Sequence, residues 1–230
     1  MEPASFIDLY CERTAPGFWN EPLNAISNGA FLIAAAWGWA DARRCGGPDP
    51  AEALLIVLAA LIGVGSFLFH TFANGWAELA DVIPIWTFVA CYVLITIHRM
   101  SGSDFAKTAR IAGIVLVITA AVFWFSSEDV TTEADTVAVG PFNGSLQYLP
   151  ALLALVVFTA LGWWQRHPAR TLLAGATLTF TVSLVFRTID PAICAAIPTG
   201  SHFLWHILNG VMIGVLLSAM VRHMPPEKRA

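Results

Sequence analysis

Six histidines are spread through the 230 residues, and their spacing points to chemistry. His202 and His206 are four residues apart. On a helix that puts both rings on one face, about 5–6 Å apart at Cβ, and such a pair can grip one metal ion. A third ligand from another helix would complete the open three-histidine arrangement of catalytic zinc, with water in the fourth position. His70 is the candidate for that ligand. Two further polar residues stand near it in sequence. Ser66 precedes His70 by four residues, one turn deeper on the same face. Asp81 follows, beside Glu78. A carboxylate there would accept a proton from a metal-activated water or orient a ligand histidine from behind. The Ser66 hydroxyl would hydrogen-bond the water or a developing oxyanion. Plain structural roles also exist for both: a serine satisfied by its own i−4 carbonyl, and an aspartate capping a helix.

The elements that must position these groups are hydrophobic. The chain is 57% hydrophobic and only 12% charged, where soluble domains carry about 25% charged residues. Apolar runs of about 20 residues match a hydrocarbon core of about 30 Å. Seven are read, at 23–42, 53–72, 76–98, 106–126, 144–164, 171–189 and 203–222. The third is the least typical, with Glu78, Asp81 and Pro84 in its first turns. The expected fold is an all-α integral membrane protein, a seven-transmembrane helix bundle forming one domain over residues 1–230. Residues 1–22 would form an outer segment and 223–230 an inner tail. The first residues have no basic region followed by a short apolar one, so no cleaved signal peptide is expected. The net charge is −4, with no basic run, so nucleic acid is not an expected partner; the bilayer and a membrane lipid are.

Lys and Arg placement sets the expected orientation. Arg43, Arg44, Arg99, Lys107, Arg110, Arg166, Arg170, Arg222, Lys228 and Arg229 fall on one side, and only Arg13 and Arg187 on the other. The N-terminus is therefore expected outside and the C-terminus inside. The outer loop 127–142 is acidic. His70, His202 and His206 all fall at outer span ends. His98, His167 and His223 fall at the inner side, where a single histidine is usually interfacial. Ionisable groups within spans are costly and point to function.

The residues match a family. GSFLFHTFANGWAELADVIPIW (65–86) and SHFLWHILNG (201–210) resemble the signature segments of alkaline ceramidases, here as a bacterial member. The wider superfamily includes adiponectin and progestin receptors and shares S-x-x-x-H, a downstream Asp, and H-x-x-x-H. Those stand here as Ser66 to His70, then Asp81, then His202 to His206. YCERTAPGFWNEPLNAISN (10–28) resembles the N-terminal motif, and RTIDPAIC (187–194) the end of the sixth helix. The resemblance implies seven helices and a zinc on His70, His202 and His206. It implies Asp81 as the proton-handling carboxylate, Ser66 as a stabiliser of the water or oxyanion, and hydrolysis of a ceramide to a sphingoid base and a fatty acid. It also implies a calcium site. Glu12 and Glu21 match the family's glutamates, and Tyr10 stands where a backbone carbonyl is used. Thr14 stands in place of an asparagine, and Leu9 in place of an aspartate, with Asp8 one residue away. Finally, it implies a Cys11–Cys194 disulfide, which an oxidising compartment permits, leaving Cys45 and Cys91 as thiols.

Other readings stay open at this point. A receptor-like member would keep the zinc but is expected to have a long cytoplasmic N-terminal extension and the opposite orientation. A haem-binding electron-transfer bundle would want histidines facing each other from two helices. A transporter would want polar groups near the midplane, whereas this polar cluster is peripheral. Asn24 and Asn28 suggest an interhelical hydrogen-bonding pair. Arg187 and Asp190 suggest either an ion pair or a contact with a lipid headgroup. The expected setting is a bacterial inner membrane with the site toward the periplasmic, exoplasmic face.

Overall fold

A computed structural model of the protein describes residues 6–102 and 142–226, together with 106–108, 110, 113, 114 and 117 between them. Among the described residues there are seven α-helices, one 3-10 turn and no strand. The helices are α1 (Pro22–Ser27), α2 (Gly29–Arg44), α3 (Pro50–Phe72), α4 (Gly75–Ser101), α5 (Leu149–Trp164), α6 (Arg170–Ile193) and α7 (His202–His223), with the 3-10 turn Ser145–Tyr148 leading into α5. α3, α4, α5 with its leading turn, α6 and α7 are each long and apolar enough to cross a membrane. The protein is thus an all-helical, multi-pass membrane protein. The described residues of the expected fourth span are helical; the rest of that span, the acidic loop up to residue 141, residues 1–5 and residues 227–230 lie outside the described residues.

The first expected span is two helices rather than one. At Asn28 the ladder switches from i−4 to i−3 bonds, with Asn28 N donating to Ala25 O and Phe31 N to Asn28 O. The Asn28 side chain donates to its own i−4 carbonyl, Asn24 O, at 2.8 Å, and such local bonds compete with the helix. Asn24 in turn donates to Glu21 Oε2 at 3.0 Å. These amides therefore bond within their own segment and do not form the expected interhelical pair.

α7 is buried along most of its length and packs on α2 and α6, with α1 and α3 nearby. Small residues allow this closeness, as they do in bilayers generally. A Cβ on Gly210 would sit 2.6 Å from the Ala30 Cβ. The tightest approach is between α3 and α4. A Cβ on Gly65 would lie 1.9 Å from Ala80 O and 3.1 Å from Asp81 N. That backbone contact brings Ser66, the next residue, beside Asp81. Gly65→Ala is expected to push the helices apart, costing about 1–3 kcal/mol or more, as overpacking does. An unfolding midpoint in detergent that matches wild type would show that the helices do not meet there.

The end of the bundle away from the histidines is held by ion pairs. Asp49 caps α3 in a capping box with Glu52. Arg99 of α4 pairs with Asp49 and with Glu52, the latter at 2.9 Å, and donates to Met224 O at 2.7 Å. Asp41 of α2 accepts from Arg222 and Ser218 of α7.

Candidate metal centre

Three helices and the N-terminal segment converge on the histidines. His70 is two residues from the end of α3, whose left-handed cap at Ala73 turns the chain into α4. His202 opens α7, and His206 follows one turn later. The start of α7 is fixed by Asp190 of α6, which accepts from Ser201 N at 2.6 Å and His202 N at 2.9 Å. Only glycine fits before it. Gly200 has φ +62°, and a Cβ there would lie 2.1 Å from the Asp190 carboxylate. Asp190 also accepts from Cys11 N at 3.0 Å, next to the Cys11–Cys194 disulfide. The disulfide expectation is met, and Cys45 and Cys91 are free. Of the two roles left open for Arg187 and Asp190, the ion pair is not formed, because Asp190 is committed to these backbone amides.

The three rings are not interfacial. His70 and His202 are 1% exposed and His206 is 2% exposed. Their donor atoms lie within 4.8 Å of one another. His70 Nδ1 donates to Glu21 Oε2 at 2.5 Å. His206 Nδ1 lies 2.8 Å from Ser27 Oγ, whose hydroxyl donates to Asn24 O. With the rings neutral, as metal ligation requires, and both Nδ1 atoms donating, the two Nε2 atoms present lone pairs. Yet they face each other at 3.1 Å, and two lone pairs cannot satisfy one another. His202 Nδ1 is buried without a partner. A tetrahedral zinc with Zn–N near 2.0–2.1 Å separates its ligand nitrogens by roughly 3.3 Å. The His70 and His206 nitrogens therefore sit near the spacing such an ion needs, with His202 in the same group, and these two rings are held from behind in the usual pattern of a metal ligand.

Ser66 and Asp81 line one cavity with His202 and His206. Ser66 is close enough to Asp81 for its hydroxyl to interact with the carboxylate. Asp81 Oδ1 is shielded from solvent and accepts no hydrogen bond. Neither plain alternative is what the structure shows: Asn74, not Asp81, caps α4, and Ser66 faces the cavity. The cavity extends past Trp205, Phe88 and Tyr92 to Leu216, a run of roughly 21 Å along α7 at 1.5 Å per residue. Its walls are almost entirely apolar.

Several contacts had no signal in residue spacing. Tyr10 stacks on His202 with ring centroids 3.5 Å apart. Glu21 holds His70, and Ser27 holds His206. Ser27 lies with Asn24 and Asn28 in the polar stretch of the first span, the one hint that this stretch faces a site.

The glutamates expected to bind calcium are engaged by partners within the chain. Glu12 is used as a cap for α1, accepting from Leu23 N at 2.7 Å and Asn24 N at 2.8 Å. Burial pushes its carboxyl up, with only partial relief from those amides. Glu21 is taken by Arg13, His70 and Asn24. Burial alone would raise its carboxyl too, but the His70 and Asn24 bonds and the Arg13 charge hold it below the usual range. Asp8 and Thr14 are exposed, and Thr14 N donates to Asn20 Oδ1. The buried Arg13 guanidinium bonds Glu21 and the carbonyls of Ala15, Gly17 and His70. It takes the carboxylate and carbonyl oxygens that a hard cation would need. Millimolar calcium is accordingly expected to leave the unfolding midpoint unchanged. A ligand at 100 times its Kd stabilises by about 2.7 kcal/mol, so a rise of several degrees would show that the ion binds.

No curated protein matches the chain. The Ceramidase family model matches residues 2–229, which takes in the N-terminal segment, all the described helices and every residue of the centre. The protein belongs to the ceramidase family.

Proposed function

We propose that this ceramidase-like hydrolase is zinc-dependent and cleaves the amide of ceramide, or of a closely related membrane lipid, to a sphingoid base and a fatty acid. The observation that carries the reading is the convergence of three buried histidine donors beside Ser66 and Asp81 at the head of an apolar cavity. A zinc held by His70, His202 and His206 would polarise the amide carbonyl and bring the pKa of a water from 15.7 toward about 7. Asp81 takes a proton from the attacking water and returns it to the leaving nitrogen as the C–N bond breaks. Its unpartnered Oδ1 leaves it free to do so. Ser66 donates to the oxygen that gains charge as the carbonyl carbon becomes tetrahedral. Glu21, Ser27 and Tyr10 hold the three rings in place. The apolar cavity takes the acyl chain.

We read the chain as one seven-helix domain over residues 1–230, set in a bacterial inner membrane. The N-terminus and centre would lie on the exoplasmic side and the C-terminus inside, as the Lys and Arg placement supports. The amide of a lipid would then meet the histidines while its chains stay in the bilayer. The haem alternative is disfavoured because nitrogens 3.1 Å apart leave no gap for a porphyrin plane.

The test is mass spectrometry of membrane lipids incubated with purified protein, with and without a zinc chelator. The expected result is chelator-sensitive loss of ceramide with matching gain of sphingoid base and fatty acid. Turnover that persists in metal-free protein would overturn the zinc assignment, and turnover of some other lipid alone would overturn the substrate.

A further inference from the structure

We propose that Arg187 forms a binding site for a lipid carboxylate in the wall of the cavity. Arg187 belongs to α6 and is 6% exposed. Among the described residues no carboxylate stands within ion-pair distance of its guanidinium. Asp190, one turn on, is occupied by three backbone amides. The guanidinium instead sits among three rings, 5.7 Å from Tyr10, 5.3 Å from Tyr148 and 5.6 Å from Trp205. Its Nη1 donates to the Tyr10 hydroxyl at 2.6 Å, while its Nε is buried and donates to nothing. The side chain lines the same cavity as Ser66, Asp81, His202 and His206.

Asp81, in the same cavity, lies within electrostatic reach of the guanidinium but makes no ion pair with it, and a buried cation without a directly paired carboxylate is costly. Aromatic faces offset only part of that cost, and an unused N–H shielded from water adds to it. An arrangement of this kind is completed by an anion from outside the chain. The guanidinium is planar and presents paired donors, which match a carboxylate in two-point geometry. Away from the polar cluster at its head the cavity is mainly apolar, so the anion must be carried on a hydrocarbon chain. Two sources supply that chemistry: the fatty acid released by amide hydrolysis, and an acidic head on the amide itself, as in an N-acyl amino acid. The fatty-acid source rests on the function proposed above; the site itself does not.

Binding of three probes to zinc-depleted protein in detergent separates these cases. Palmitate, N-palmitoylglycine and hexadecanol share a chain and differ in the head. In wild type, at least one carboxylate is expected to bind tenfold or more tightly than hexadecanol, about 1.4 kcal/mol. Arg187→Gln should remove that preference while hexadecanol still binds, which also reports a folded cavity. Arg187→Lys, which keeps the charge but loses the planar fork, should retain part of it and covers the case of a poorly folding glutamine variant. Tighter palmitate identifies the product as the ligand, and tighter N-palmitoylglycine an acidic substrate. Equal binding of alcohol and acids by wild type, or a preference that survives Arg187→Gln, would overturn the site. Ceramide turnover by the same wild-type preparation, after zinc is restored, is scored separately. Carboxylate preference without turnover would leave the site standing and remove the ceramidase reading, and the reverse result would do the opposite.

Discussion

Replacing His206 with alanine is expected to abolish hydrolysis and zinc content together. The residue is the hinge of the centre: its Nε2 faces that of His70 at 3.1 Å, and its other nitrogen is tied to Ser27. Two histidines alone cannot hold a catalytic zinc in the usual three-ligand geometry. Loss of Lewis-acid assistance worth several kcal/mol removes activity by about a thousandfold or more. The control is His167→Ala, since His167 lies in the turn between α5 and α6, at the opposite end of the bundle; it should keep both metal and turnover. Metal content is read by elemental analysis of purified protein. A His206→Ala protein that retains stoichiometric zinc and full activity would remove the site.

Glu21→Gln separates positioning from ligation. The carboxylate receives the His70 Nδ1–H at 2.5 Å and also bonds Arg13 and Asn24. Loss of such an outer partner typically costs 10–100-fold in metal affinity, because the ring is no longer oriented and its basicity falls. That range is expected here, measured by zinc competition against a chromogenic chelator. Glu21→Ala goes further. It strands the buried Arg13 guanidinium, and breaking a buried pair from one side costs about 3–5 kcal/mol, so a large drop in unfolding midpoint should accompany the affinity loss. Unchanged zinc affinity in Glu21→Gln would show that the carboxylate supports the N-terminal segment alone. These two variants also distinguish an electrostatic role for Glu21 from a calcium-ligand role, since calcium addition should rescue neither.

The membrane class and the metal donors were legible because each rests on a local regularity. An apolar run of about 20 residues is its own evidence for a span. His202 and His206 share a face because a helix repeats every 3.6 residues. Span ends shifted by a few residues, as fraying and caps make usual. The first span differed more, because Asn28 can bond to its own preceding turn, a competition that hydropathy does not register. The pairing of Ser66 with Asp81 was legible as proximity in sequence only. The contact itself depends on Gly65 letting two helix backbones touch.

By itself, then, the amino-acid sequence determined an all-helical membrane protein with three histidines at one depth, through periodicity and composition. The tertiary structure alone decided what holds those histidines. Glu21, Tyr10 and Arg13 lie in an irregular segment whose path has no period to read, and they reach the centre because Cys11, Asp190 and the first turn of α7 fasten that segment across the bundle. The same packing engages Glu12 and Glu21, the expected calcium ligands, as a helix cap and a histidine support. It also left Arg187 facing a cavity rather than Asp190. Charge and spacing propose partners, but in a low-dielectric interior the assignment belongs to whichever donor and acceptor the packing brings within about 3 Å.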